Sequence, residues 1–330
     1  MKIFITGSEG FIGSHLTEKL VRNNHELTCL VQYNSFNSWG WLEKVDKKVK
    51  NNINVITGDI RDDNLINKTI KKFDVIINLA ALIGIPYSYR APKSYFDTNV
   101  NGILNILNAS KISNIKKIIH TSTSEVYGTA KYIPIDEKHP ISAQSPYAAS
   151  KIAADQLALS YQKSFGLPVS ILRPFNTFGP RQSARAIIPT IITQINKKNN
   201  LKLGSLHPTR DFTFIEDTTD AFLASIKSNK GIGEIVNVGS GFEISIKQLA
   251  HKIAKIMGNK IYIKKEPSRV RPKNSEVDRL CASIKKANKI YKWKPKFASK
   301  KGFEMGLKKT IDWFLNSKNS ITYKSNIFND

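Results

Sequence analysis

Three glycines set three apart, directly behind an apolar run, constrain this chain more than any other feature in it. Ile3 to Thr6 is short and mostly apolar, Gly7-Ser8-Glu9-Gly10-Phe11-Ile12-Gly13 follows without a break, and Leu16, Leu20 and Val21 then recur at helical spacing. The order is strand, tight turn, helix. Gly7 permits the turn, Gly10 lets backbone approach a pyrophosphate, and Gly13 allows the helix to pack closely on the strand. Free N–H groups and the macrodipole at the start of that helix favour an anion. Further apolar runs follow at Leu27–Val31, Ile53–Thr57, Val75–Leu79, Lys117–Thr121 and Val169–Leu172, with helix-length segments between them. Nearly continuous apolar strands alternating with helices are buried on both faces, so the fold class is α/β, a doubly wound parallel sheet of Rossmann-like type.

Beyond Arg173 the alternation fails, and Pro174, Pro180, Pro189, Pro208, Pro267, Pro272 and Pro295 punctuate the chain. The expected division is a dinucleotide-binding domain over residues 1–175, rejoined by about 211–239, and a smaller loop-rich substrate lobe from 176–210 and 240–330. Its end, from about Asn316, reads as a polar tail. No apolar run reaches the roughly 18 residues a bilayer span needs. The best, Val75 to Ile85, is short and interrupted by Asn78. With neither a charged leader region nor a cleavage site at the N-terminus, a cytoplasmic protein is expected. Two cysteines, Cys29 and Cys281, are too few for a metal cluster or disulfide framework, so no metal is expected and a reducing compartment fits. The net charge of +25 is concentrated near the C-terminus, where Lys264 to Lys309 holds 16 Lys/Arg against 4 Asp/Glu. Few of these cations are interleaved with aromatics, which points away from nucleic acid and towards a small anionic ligand held by a few arginines.

The second apolar run ends Leu30-Val31-Gln32-Tyr33-Asn34-Ser35, without the carboxylate that commonly binds an NAD ribose there. Gln32 and Asn34 can hydrogen-bond a free ribose hydroxyl and no cation stands ready for a 2′-phosphate, so the reading favours NAD, with NADP the alternative. Further on, Ser145-Pro146-Tyr147-Ala148-Ala149-Ser150-Lys151 opens a helix, which places Tyr147 and Lys151 on one face. An ammonium near a phenol lowers a pKa that is otherwise about 10 and prepares a base. Upstream, Thr123-Ser124-Glu125 ends the fifth run, where α/β active sites are built: a hydroxyl able to orient a sugar alcohol, then a carboxylate able to move a proton at a second carbon. His120, just before it, reads as a packed core residue.

The G-x-x-G-x-x-G loop combined with Tyr-x-x-x-Lys resembles the extended short-chain dehydrogenase/reductases, the NAD-dependent epimerase/dehydratase family. The Thr-Ser-Glu triplet resembles the GDP-mannose 4,6-dehydratases and also occurs in UDP-glucuronate decarboxylases, so it leaves the reaction open; 4-epimerases usually carry a small uncharged residue at the glutamate position. Segments 32–43, 120–128, 134–140 and 173–186 are similar to the dehydratases of legionaminic-acid biosynthesis, which act on UDP- or GDP-linked N-acetylglucosamine. The resemblance implies a 4,6-dehydratase with Thr123, Ser124, Glu125, Tyr147 and Lys151 as its catalytic set. It implies a cofactor site of Gly7, Gly10, Phe11, Ile12, Gly13, Gln32, Asp59, Ile60, Leu79, Ala80, Ala81, Asn99, Tyr147 and Lys151. For the substrate diphosphate it implies Asn176, Arg210 and Arg271, with Arg181, Arg185 and Arg269 as further candidates, since guanidinium forks suit phosphate oxygens. It also implies a homodimer built from helices near 95–110 and 147–165. A non-catalytic nucleotide-sensing or polyanion-binding module is the alternative of another class, and the intact Tyr147/Lys151 pair argues against it.

Overall fold

The computed structural model describes residues 1–197, 200–316, 319 and 323; most of the expected polar tail lies outside the described residues. The six apolar runs are strands: β1 (Lys2–Thr6), β2 (Glu26–Gln32), β3 (Ile53–Gly58), β4 (Val75–Asn78), β5 (Lys117–Thr121) and β6 (Val169–Pro174). After them come β7 (Asn176–Phe178), β8 (Asn200–Leu203), β9 (Thr209–Phe214), β10 (Ile235–Val238), β11 (Glu243–Ser245) and β12 (Tyr262–Lys265). Seven strands form one sheet in the order β3-β2-β1-β4-β5-β6-β10, all parallel. Along β1, Ile3 and Ile5 enter the core on one face and Phe4 the core on the other, and β4 repeats this with Val75 and Ile77 against Ile76. Burial on both faces is why these strands read as unbroken apolar runs.

The strand order reverses between β1 and β4, and in a doubly wound sheet a ligand crevice opens there, at the strands' carboxyl ends. The junction is pinned: Thr6 Oγ1 donates to Asn78 Oδ1 at 2.7 Å and accepts from Ala80 N at 3.1 Å. After β6 the chain leaves the sheet, forms β7 to β9, and returns through the helix Ile215–Lys227 to β10, which pairs with β6 from Ile235↔Ile171 to Val238↔Pro174. The remaining strands build a three-stranded sheet, β11-β9-β7, and a pair, β12-β8. Their core is aromatic and isoleucine-rich: Phe178 meets Phe214 at a tilt and Phe303 edge-on, with ring centroids 5.4 Å apart in each pair, while Ile188, Ile191, Ile192 and Ile195 line one face of the helix Ile187–Lys197. Ile12, in the glycine loop's helix, packs against both this core and that of the large sheet.

Candidate active site

The glycine loop has the shape its sequence suggests. Gly7 sits at φ +67°, and a Cβ there would lie 2.7 Å from Ala80 N; a Cβ on Gly13 would lie 2.2 Å from Gly7 O. At Gly10 a Cβ would approach only Gly7 O, at 3.3 Å, so the outer side of the turn is open. Gly10 caps the Phe11–Arg22 helix without a side-chain hydrogen bond, and the first intrahelical bond is Ser14 N to Gly10 O at 3.0 Å. The amides of Phe11, Ile12 and Gly13 therefore precede the helical ladder, a cradle that fits a pyrophosphate. Leu79 and Ala80 are tied to Thr6, and Ala81 continues that wall.

Other residues expected at the cofactor are placed more variously. Asp59 carries a bidentate contact from Arg61 Nε and Nη2, which holds its carboxyl below the usual range, and Ile60 packs beneath Gly102. Asn99 lies in a π-helical stretch, Asp97–Asn101, and spends its amide on Leu82 N, Leu82 O and Ser150 Oγ at 2.9 to 3.0 Å. It clamps the loop after β4 to the helix Pro146–Phe165. Asn34, read as a ribose donor, is consumed by its own turn, bonding Gln32 O, Ser38 O, Phe36 N and Ser38 N. The Gln32 side chain is exposed, and its backbone N–H goes to Glu9.

The catalytic candidates converge at the end of β5. Thr123 caps the single 3₁₀ turn Ser124–Tyr127, accepting from Glu125 N at 3.2 Å, so Ser124 and Glu125 are held by backbone geometry and both are buried. Opposite them, Ser145 caps the helix Pro146–Phe165, with Ser145 Oγ accepting from Ala148 N at 3.1 Å and Pro146 in the first turn. The buried face of that helix carries Tyr147, Lys151, Ala154, Asp155 and Ala158, a spacing of three and four. Burial pushes the Tyr147 phenol well above its ordinary value, and the Thr123 hydroxyl opposes this. Lys151 is drawn down to about 8 by burial, with Asp155 opposing. Its ammonium donates to Thr121 O at 2.6 Å and makes no hydrogen bond to the phenol. Tyr147 and Lys151 do share the buried helix face, with the lysine anchored two residues before Thr123.

A network that sequence reading missed supports this face. Asp155 accepts from Ser122 Oγ at 2.6 Å and from Arg173 Nε and Nη2 at 3.1 and 2.9 Å, and His120 Nε2 lies 3.6 Å away. Arg173 continues to Tyr127 OH at 3.0 Å, and Tyr127 to Asn237 at 2.8 Å. Asp155 stands four residues after Lys151, a spacing visible in the sequence, but its pairing with Arg173 exists only once the helix Pro146–Phe165 packs on β6. His120 is fully buried, its imidazole held neutral by burial and the nearby Lys151 and Arg173 charges.

The substrate arginines divide. Arg271 Nη1 lies 3.7 Å from Glu125 Oε2 and 4.0 Å from Glu276 Oε1, while Arg210 Nη2 lies 3.5 Å from that same Glu276 oxygen. Arg271 Nη1 is buried without a hydrogen-bond partner, and so is Asn176 Oδ1 on β7, orphaned polar atoms of the kind a polar ligand satisfies. Arg185 reaches Gly84, where a Cβ would meet its Nη1 at 3.2 Å, beside Tyr95, whose ring stands edge-on to Tyr147 at 6.2 Å. Arg181 is elsewhere: at φ +67° it turns back to Glu18 on the Phe11–Arg22 helix, 2.8 Å away. It ties the loop after β7 to that helix through Nη2, while its Nη1 is buried without a hydrogen-bond partner. Arg269 packs its backbone against Gly204, where a Cβ would lie 2.3 Å from Arg269 O. Gln144 and Ser275 join the site through the loop they staple, Gln144 Nε2 donating to Asn274 O and Glu276 O at 3.1 Å and Ser275 Oγ to Gln144 O. Among the described residues no group of three or more His, Cys, Asp or Glu could hold a metal ion, and no helix is long and apolar enough to cross a membrane.

A profile of the family described as GDP-mannose 4,6 dehydratase matches residues 4–306. A putative UDP-glucose 4-epimerase of Methanocaldococcus jannaschii is 34% identical over 96% of this chain and 99% of its own. A UDP-N-acetyl-alpha-D-glucosaminuronate decarboxylase of Bacillus cytotoxicus is 32% identical over 96% and 99%. Among solved structures, a double mutant of the dTDP-glucose 4,6-dehydratase DesIV from Streptomyces venezuelae, with NAD bound, superposes with a TM-score of 0.88, 26% identity and coverage of 96% of this chain and 98% of that one. The chain belongs to the GDP-mannose 4,6-dehydratase family, within the NAD-dependent epimerase/dehydratases.

Proposed function

We propose that this member of the family is an NAD-dependent nucleotide-sugar 4,6-dehydratase. Its substrate is UDP- or GDP-N-acetylglucosamine and its product the 4-keto-6-deoxy sugar, a step towards a surface-glycan sugar of legionaminic type. Relatives named for epimerase, decarboxylase and dehydratase reactions are all similar to it, so the reaction is argued from the site. The observation that carries the reading is Glu125. A buried carboxylate, rigidly presented beside the Thr123 and Tyr147 hydroxyls, has no task in a simple inversion at one carbon and an evident one in proton transfer at a second.

The open face at Gly10, the uncapped amides of Phe11 to Gly13 and the wall at Leu79–Ala81 would hold the NAD pyrophosphate and nicotinamide. When bound, NAD supplies a reversible hydride acceptor for the sugar carbon and a positively charged ring beside Tyr147. The chain's own residues handle the protons. Thr123 orients the sugar 4-hydroxyl, and Tyr147 takes its proton. Because burial alone keeps the Tyr147 phenol protonated, the base forms only with a cation next to it, and Lys151, fixed on Thr121 O, adds its charge from below. The resulting 4-ketone acidifies the C5 hydrogen. Glu125 removes that proton, the C6–O bond breaks with elimination of water, Ser124 or protonated Glu125 delivers the proton the departing hydroxyl needs, and the C5=C6 enone left behind takes back the hydride at C6 and a solvent-exchanged proton at C5, giving the 4-keto-6-deoxy sugar. Arg210, Arg271 and Asn176 hold the diphosphate, and Arg185 closes the rim at Gly84. The protein works in the cytoplasm as a homodimer whose helices near 95–110 and 147–165 pair; Phe96 and Phe165 are exposed on these segments.

One observation favours a second reading. The Arg271 guanidinium beside Glu125 would suit a C6 carboxylate, as decarboxylation of a nucleotide-linked uronic acid requires. Incubation with UDP- and GDP-N-acetylglucosamine in D₂O, followed by mass spectrometry, tests the two. Loss of one water with one deuteron retained at C5 is the expected result and names the nucleotide. An unchanged mass with both, together with carbon dioxide release from UDP-glucuronate, overturns the dehydratase in favour of the decarboxylase.

A further inference from the structure

Glu9, the residue before the second loop glycine, lays its carboxylate along the carboxyl edge of the sheet. Its Oε1 accepts the backbone N–H of Gln32, the last residue of β2, at 3.0 Å. The segment after β2 folds back onto the same residue: Trp41 N donates to Glu9 O at 3.0 Å, and a Cβ on Gly40, at φ +54°, would meet Glu9 O at 2.9 Å. Oε2 is buried and has no hydrogen-bond partner. Burial pushes the Glu9 carboxyl up, the Gln32 amide opposing, and no neighbouring cation contributes. The end of β2 thus carries a carboxylate after all, delivered from the glycine loop and not from the strand.

In a doubly wound sheet, the adenosine ribose of a dinucleotide rests where β2 ends beside the glycine turn. We infer that Glu9 selects the cofactor: its Oε2 accepts a hydrogen bond from the ribose 2′-hydroxyl of NAD and repels the 2′-phosphate of NADP. The inference rests on the reading of the chain as an NAD-dependent enzyme. A carboxylate offers about four lone-pair positions, and Gln32 occupies one of them. A buried acceptor without a donor is costly, and a ribose hydroxyl relieves that cost. A phosphate at the same place puts like charges together in a partly desolvated setting, where repulsion is poorly screened. Asn34, the other polar group at the end of β2, is fully engaged in its own turn and cannot share the task.

The test is binding, without any sugar. After removal of resident nucleotide by dialysis, the purified protein and Glu9→Gln are titrated with NADH and NADPH by nicotinamide fluorescence. The wild type is expected to hold NADH about tenfold or more tighter than NADPH, and Glu9→Gln, which keeps an acceptor for Gln32, to narrow that ratio about tenfold. Titration of the wild type with the 2′-deoxy analogue of NADH needs no substitution and is expected to show about a tenfold loss. An unchanged ratio in Glu9→Gln, or equal binding of NADH and its 2′-deoxy analogue, overturns the role of Glu9 while leaving the NAD-dependent reading in place. A wild type that binds neither dinucleotide overturns both.

Discussion

The two ends of the site are held by different physics. At the sheet end the catalytic candidates are held by hydrogen bonds on regular elements: Thr123 caps a 3₁₀ turn, Ser145 caps the helix Pro146–Phe165, Lys151 is anchored on Thr121 O, and Asp155 locks the helix face to Ser122 and Arg173. At the lobe end, Arg210 and Arg271 face Glu276, and Arg271 also faces Glu125 of the sheet end, at 3.5 to 4.0 Å, longer than good charge-assisted hydrogen bonds. Rigid groups suit a reaction that requires alignment, and loosely paired arginines suit an anion that must enter and leave. Chemistry should therefore fail when the sheet end is altered, and affinity when the lobe end is.

The comparison breaks first at Tyr147. Tyr147→Phe is expected to lower kcat about a thousandfold with KM little changed, because the lost group acts on a proton and not on the diphosphate; a matching rise in KM would erase the distinction. At the lobe end, Arg271→Met or Arg210→Met is expected to raise KM about ten- to hundredfold, the loss typical of a hydrogen bond to a charged group, with a smaller change in kcat. Steady-state kinetics with each nucleotide sugar measures both.

Lys151 sharpens the contrast through pH. Its value in the folded protein, about 8, lies below that of an unfolded lysine. The folded state therefore binds fewer protons than the unfolded state between about 8 and the unfolded lysine value of about 10.4. Stability contributed by this group rises with pH across that window, so the wild type should gain on Lys151→Met between pH 7 and 10 in denaturant melts. A constant difference would mean that Lys151 titrates normally. The smallest effect belongs to Arg181, which lies in the lobe segment but pairs with Glu18: Arg181→Met should cost about 1–2 kcal/mol of stability and leave KM unchanged.

How far the sequence could be read follows the same divide. Strands β1, β2, β4, β5 and β6 are legible because burial on both faces makes each an apolar run, β3 at the sheet edge because its β-branched residues still form one, and the glycine loop and Tyr147/Lys151 because their spacing is local. The lobe is not, since its strands are three to six residues long and β8 alternates buried and exposed positions. Its charge pairs are also remote in sequence. Glu276 reached the site only through the fold, since Arg210 meets it across 66 residues. The Arg181–Glu18 pair is more remote still, joining positions 163 residues apart. Glu9 was passed over as filler between two glycines; its reach to Gln32 exists only once β1 and β2 lie side by side.

The proposed dehydration turns on Glu125 and the proton at the second carbon. Wild type and Glu125→Gln, each given the accepted nucleotide sugar in D₂O, should be followed at once by absorbance of reduced nicotinamide and by deuterium at sugar C5. Glu125→Gln is expected still to oxidise C4, accumulating reduced nicotinamide, while deuterium incorporation and loss of water fall at least about a hundredfold. Deuterium entering C5 at the wild-type rate in Glu125→Gln would contradict that role of Glu125.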